Sequence, residues 1–197
     1  MDFVDREFVE YVVEQEADKG PDLSPYLDSN GHWTIGYGHK IRKDGENHPD
    51  ITEKDAENLL RKDLNTAARG ARSYVVNNFG PDAWELLSSL QRQALTDFQF
   101  NVGSISKQFP SLGKAIVEND RLRIGSEFLR WHDHQGKEGV PTKEGPDGNL
   151  KEPLTRRNKA WWNKFGKPLT GMRYKDTSAA KSLVALLDKE EIPTKGY

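Results

Sequence analysis

The sequence predicts an α+β fold, mostly helical with one small antiparallel β element near the front. Three observations predict it. Apolar residues recur at helical spacing through most of the chain. One short stretch, "PYLDSNGHWTIGYG", instead alternates around the turn "SNG". Gly- and Pro-rich joints separate these segments, and no internal repeat is visible. A length of 197 residues suits one domain that can bury an ordinary core.

The elements follow in order. Over residues 3–17, Phe8, Tyr11 and Val12 form an apolar stripe flanked by Val4 and Val9, with Glu7, Glu10 and Glu14 on the far side, which predicts an amphipathic helix. Gly20, Pro21 and Pro25 end it. The hairpin follows, then "RKDGENHPD" as a loop. Thr52 opens "TEKD", a capping-type start for a long helix that runs to Phe79 and places Leu59, Leu60, Leu64 and Ala67 on its inner side. "GPD" restarts the chain, and "AWELLSSLQRQALTDFQFNVG" reads as one helical segment, the most apolar, central to the core. Shorter helices are expected at "LGKAIVEN" and "RIGSEFLRW". The stretch "HQGKEGVPTKEGPDGNLKE" is too polar to pack and reads as a surface excursion over about residues 135–152. "PLTRRNKAWWNKFG" and a terminal helix, "SAAKSLVALLDKE", close the chain.

Composition narrows the function classes. Apolar residues make up 35% of the chain and aromatics 10%, enough large side chains to exclude a disordered segment. Cysteine is absent, which excludes a disulfide framework, a thiol nucleophile and a Cys-based metal site. No secretory signal or membrane-spanning run is recognisable. Net charge is −2 but unevenly placed, with acids crowding residues 2–18 and bases crowding residues 151–175. That split can pair the two ends of the chain in the fold. No nucleic-acid motif accompanies the basic segment, so no nucleic-acid partner is expected.

The chemistry starts at Glu16. On a helical wheel Glu14 falls outside the apolar arc, whereas Glu16, four residues after Val12, falls inside it. A carboxylate facing the interior is costly unless paired or used, and desolvation raises its pKa toward the range a general acid requires. A frayed helix end that turns Glu16 outward is the bland alternative. In the hairpin, a three-residue turn sets Asp28 across from His32 and makes Asp28 and Thr34 diagonal neighbours on one face. Gly36 and Gly38 continue that face without side chains, so a ligand can approach the backbone, while Trp33, Ile35 and Tyr37 point the other way. Relief of a tight bend is the alternative for these glycines. Two carboxylates, a hydroxyl and an open groove are the equipment for glycoside hydrolysis: one acid protonates the leaving oxygen, and the other activates water.

At this point "YLDSNGHWTIGYGH", with an acid near the end of the first helix, closely resembles the phage-type lysozymes, a muramidase family of the glycoside hydrolases. Their signature is Glu, then Asp, then Thr six residues later in a Thr-Ile-Gly-x-Gly-His strand; Asp28, Thr34, Gly36, Gly38 and His39 match it. "QALTDFQFNVG" resembles the family's central helix and "PLTRRNKAWW" its Leu-x-x-Arg-Arg segment, so matching pieces span residues 8 to about 166. The resemblance implies a lysozyme-like fold: a single domain with an N-terminal lobe over about 18–60, a helical lobe over about 1–17 and 61–197, and a cleft between them. It implies Glu16 as general acid, and Asp28 with Thr34 holding or activating the attacking water. Gly36, Tyr37, Gly38 and Asn101 would contact substrate, with His39 and Arg156 as structural support, Arg156 pairing with the acid.

The implied reaction cuts the β-1,4 bond between N-acetylmuramic acid and N-acetylglucosamine with inversion, without cofactor or metal. The partner is bacterial peptidoglycan, met by a monomer that does not insert into membranes. A phage endolysin held in the host cytoplasm until a holin-type pore opens is expected, with carriage in a virion as the alternative. One departure stands out: in typical members the Glu lies nearer the Asp and is followed by Gly, whereas here "ADKGPDL" lengthens the link and Ala17 follows Glu16. Glu14 is therefore the competing acid. A non-catalytic sugar-binding or virion module and a lytic transglycosylase are the competing functions. His132 and His134 in "WHDHQ" lack a third ligand at useful spacing. Trp131, Trp161 and Trp162 read as core or sugar-stacking residues, with adjacent Trp161 and Trp162 not expected to face inward equally.

Overall fold

The structure is a computed structural model that describes residues 4–16, 20–28, 31–42, 44–135, 160–172, 179, 182 and 184; the side chains of residues 16 and 129–135 also lie outside the description. Helix α1, Arg6–Glu16, begins where the Asp5 carboxylate accepts the Phe8 N–H at 2.8 Å, and the same carboxylate accepts from Gln93 Nε2 at 3.0 Å. One acid thus caps α1 and ties it to a distant helix. Phe8, Tyr11 and Val12 are buried with Val4 and Val9, and Glu7, Glu10 and Glu14 are exposed, as the apolar stripe predicts. Fully burying a side chain of the size of Phe8 is worth about 1.5–3 kcal/mol, which sets α1 against the core despite its exposed acids.

Three strands follow: β1, Asp22–Leu27; β2, Trp33–Gly36; and β3, His39–Lys40, in the order β1-β2-β3 and antiparallel throughout. β3 extends the expected hairpin by one short strand. A 3-10 turn at Gly45–Asn47 punctuates the loop after it. Helix α2, Glu53–Phe79, starts with a complete capping box in which the Thr52 side chain accepts the Asp55 N–H and the Asp55 carboxylate accepts the Thr52 N–H. Its first turns lie against β2 and β3, and its later turns pack on α4. Leu60, Leu64 and Ala67 are buried; Leu59 is half-buried, at the edge of the stripe.

The segment expected as one helix over residues 83–103 is two: α3, Ala83–Leu86, and α4, Ser89–Val102. Ser88 is the reason. Its hydroxyl accepts the Gln91 N–H while Gln91 Oε1 accepts the Ser88 N–H, a second capping box that starts a new helix inside an apolar run. A further short helix, α5, Ile105–Gln108, precedes α6, Pro110–Val117, and α7, Arg121–Gln135. After residues 160 and 161 come a π turn, Trp162–Gly166, and α8, Lys167–Thr170. The excursion after Gln135, Arg156 and most of the terminal helix lie outside the described residues.

Trp161 and Trp162 correct the expectation that these adjacent residues do not face inward equally: they are 0% and 2% exposed. The π turn is wedged between α4 and α7, so two neighbouring faces are covered. Trp161 Nε1 donates to the Ala94 carbonyl at 3.4 Å and its ring stacks on Phe128 at 5.5 Å, while the Trp162 ring lies tilted 4.9 Å from the same Phe128 ring. Both belong to the core. The Trp131 side chain lies outside the described residues.

Candidate active site

The hairpin holds the site residues in a defined register. Tyr26 pairs with Thr34 and Leu27 with Trp33, and beyond them the Asp28 N–H donates to the His32 carbonyl at 2.9 Å. Because side chains alternate along a strand, Tyr26, Asp28, His32 and Thr34 share one face, with Asp28 and Thr34 diagonal to each other. The turn closes where the Gly31 N–H donates to the Asp28 carbonyl at 2.9 Å.

Both polar groups are pinned to one residue, His32. Asp28 Oδ1 accepts the His32 N–H at 2.8 Å, and the Thr34 hydroxyl donates to the His32 carbonyl at 3.0 Å. The hydroxyl proton is therefore committed, and what Thr34 can offer a further partner is an oxygen lone pair. An ionised carboxylate has about four acceptor sites, so the His32 bond does not exhaust Asp28. Two acceptors on one face can take both protons of a single water and leave its lone pair directed away. The Asp28 side chain is 21% exposed and Thr34 only 3%, so access to the hydroxyl is narrow.

Gly36 and Gly38 differ from the expected continuous bare face. The strand ends at Gly36, and residues 37 and 38 form the turn into β3. Gly36 adopts φ +65°, and an added Cβ would sit 3.3 Å from the Ala56 Cβ of α2. Its missing side chain lets the helix close on the hairpin. Gly38 has φ +89° with nothing within 4 Å of an added Cβ. Here conformation demands glycine, and the space beside it is open. Tyr37 is half-buried against the core; burial first, then the negative charges of Glu57 and Glu53, raises its phenol above the usual range.

His39 Nδ1 lies 2.8 Å from Asp63 Oδ2, with the two side chains 25% and 29% exposed. The pair ties β3 to α2 directly behind the glycine turn. Asn101 is half-buried in the last turn of α4, where its Nδ2 donates to both the Asp97 carbonyl and the Asp97 carboxylate. Glu16 is the last residue of α1, its side chain outside the described residues, and Glu14 two positions earlier is exposed. Arg156 lies outside the described residues. Asp28 and Thr34 are thus brought together, His39 is attached behind them, and Asn101 belongs to a separate helix.

Sequence reasoning missed Asp63 and Asp97. Asp63 carried no signal, since it falls among many charges on a long helix. Asp97 did carry one: an acid between Leu95 and Phe98 on the buried face of a core helix, four positions before Asn101. Among the described residues, no group of three or more His, Asp or Glu side chains is placed to hold a metal ion.

The phage lysozyme family model matches residues 16–144, from the end of α1 through the hairpin and on past α7. An endolysin of Bacillus phage PZA is 31% identical over 129 residues, which are 64% of this chain and 46% of that protein. An endolysin of Bacillus phage B103 is 25% identical over 183 residues, 84% of this chain and 65% of that protein. The chain spans less than two thirds of the length of either relative. Among solved structures, the muramidase domain of SpmX from Asticaccaulis excentricus superposes with a TM-score of 0.57 at 24% identity, over 82% of this chain and 96% of that one. The mostly helical α+β architecture with its small sheet is accordingly the lysozyme-like fold, and the chain belongs to the phage lysozyme family, a family of glycoside hydrolases.

Proposed function

We propose that this chain is an N-acetylmuramidase that hydrolyses the β-1,4 bond between N-acetylmuramic acid and N-acetylglucosamine in bacterial peptidoglycan. The observation that carries the reading is the Asp28–Thr34 pair, two acceptors on one hairpin face held by the backbone of one residue, His32, in a chain of this family. Glu16 is the general acid. The apolar stripe of α1 supports it over Glu14, whose side chain is exposed.

The steps follow from the groups. Glu16 gives its proton to the glycosidic oxygen as the bond to the muramic acid anomeric carbon breaks. A water with its protons on Asp28 and Thr34 attacks that carbon from the opposite face, and Asp28 takes the proton released, so the product is inverted. The open side of the turn at Gly38, with Tyr37 and Asn101, lines the glycan path between the two lobes, while Gly36, closed off by Ala56, shapes the turn instead of touching the glycan. Arg156 orients the acid.

The protein acts as a monomer in phage-mediated host lysis, reaching the wall through a holin-type pore. No helix among the described residues is long and apolar enough to cross a membrane. Mass spectrometry of digested peptidoglycan tests the reading. Reducing muramic acid ends are the expected product; 1,6-anhydro ends would instead make the chain a lytic transglycosylase, and intact glycan strands would leave a binding module.

A further inference from the structure

Asp97 is a fully buried carboxylate that the reaction above does not use. Its position relative to Asn101 has a definite consequence. Asn101 Nδ2 lies 2.8 Å from the Asp97 carbonyl oxygen and 2.9 Å from Asp97 Oδ2. A carbonyl oxygen and a carboxylate oxygen are both acceptors, so only the nitrogen edge of the amide can face them. Asparagine alone is ambiguous, able to present either edge to a ligand. Here the two hydrogens are committed, and the amide is held by partners on its own helix one turn earlier. What remains for a ligand is Oδ1, an acceptor on a half-buried side chain.

We propose that Asp97 is a positioning residue that fixes the Asn101 amide so that Oδ1 faces the glycan and selects a hydrogen-bond donor on it, an acetamido N–H or a ring hydroxyl. A site built to receive a donor discriminates against groups that only accept, because an unpaired acceptor buried under the substrate is costly. The carboxylate touches no reacting atom; it acts through Asn101. This inference rests on the muramidase reading, which sets Asn101 along the glycan path.

A double-mutant cycle on purified peptidoglycan tests it. Asn101→Ala is expected to raise KM about three- to tenfold with kcat little changed, the loss of one hydrogen bond to substrate. Asp97→Ala should raise KM by a comparable factor, and Asp97→Asn, which keeps a side-chain acceptor, should restore most of it. In the Asn101→Ala background, Asp97→Ala should add nothing further. Independent, multiplicative KM effects, or loss confined to kcat and melting temperature, would overturn the proposal. If Asp97→Ala does not fold, NMR of the otherwise unchanged Asp28→Asn variant decides. Its Asn101 side-chain N–H signals should resist exchange and stay in place when an N-acetylglucosamine tetramer is added, while tetramer contact registers at the neighbouring backbone. N–H signals that move into bonds with the sugar, or a tetramer that binds without touching Asn101, would contradict it. A protein that cleaves no peptidoglycan at all fails the muramidase reading instead, so the two failures are distinct.

Discussion

His32 organises the candidate site chiefly through its backbone, with its ring Nδ1 also 3.5 Å from Asp28 Oδ1. Its N–H and carbonyl hold Asp28 and Thr34 respectively, so the spacing of the two acceptors is set by the backbone of a three-residue turn. Thr34→Ser keeps the hydroxyl and should retain most cleavage of peptidoglycan, whereas Thr34→Ala should lose most of it. The alanine variant also forfeits a mostly buried hydrogen bond, about 1 kcal/mol, which a denaturant melt will register separately from activity. Asp28 and Thr34 were legible in the sequence because alternation and turn length alone fix which side chains share a strand face. The roles of Gly36 and Gly38 were not. Alternation carried past Gly36 treats the turn at residues 37 and 38 as strand, and only the approach of Ala56 shows that Gly36 is bare to admit a helix.

At the scale of elements, α2 joins the hairpin to the helical core. Its first turns meet β2 at Gly36 and β3 through the His39–Asp63 pair, and its later turns pack on α4. Gly36→Ala should therefore destabilise by more than about 1 kcal/mol, since it combines a left-handed φ with a 3.3 Å approach to Ala56. Chemical denaturation compared with Gly38→Ala, which is strained but unobstructed, would separate the two contributions; equal losses would mean the helix contact is relieved cheaply. The division into α3 and α4 has a similar local cause. Ser88→Ala should cost about 1 kcal/mol by removing a capping box, read as a lowered midpoint with unchanged slope. That box was present in the sequence as Ser88 and Gln91, three apart, but the apolar run around it reads as continuous helix. The long-range partner Asp63 was not legible, because which charge on a helix meets a strand depends on a crossing geometry that periodicity does not encode; Asp97, whose partner Asn101 lies one turn on in the same helix, was.

Across the whole molecule, the core is continuous from α1 through α2 and α4 to the π turn, and the sheet sits at one end of α2. Stability at high pH should reflect Tyr74, whose hydroxyl donates to the Pro110 carbonyl at 2.8 Å between α2 and α6. Burial, reinforced by Glu118, pushes its phenol up to about 12 from an ordinary value near 10. The unfolded chain then releases this proton at a lower pH than the folded one. The stabilising contribution is complete below pH 10 and declines as pH rises toward 12, and Tyr74→Phe should flatten that decline in thermal melts. The overall architecture was readable because amphipathic helices and one alternating hairpin leave few ways to bury both. The helical wheel sets Glu16 inside the apolar arc of α1, and the proposed mechanism turns on that one direction at the helix end. Activity on peptidoglycan of Glu16→Gln beside Glu14→Gln, both confirmed folded by circular dichroism, is the most direct measurement. Glu16→Gln is predicted to abolish cleavage while Glu14→Gln keeps most of it; the reverse pattern, or full activity in both, would contradict the account.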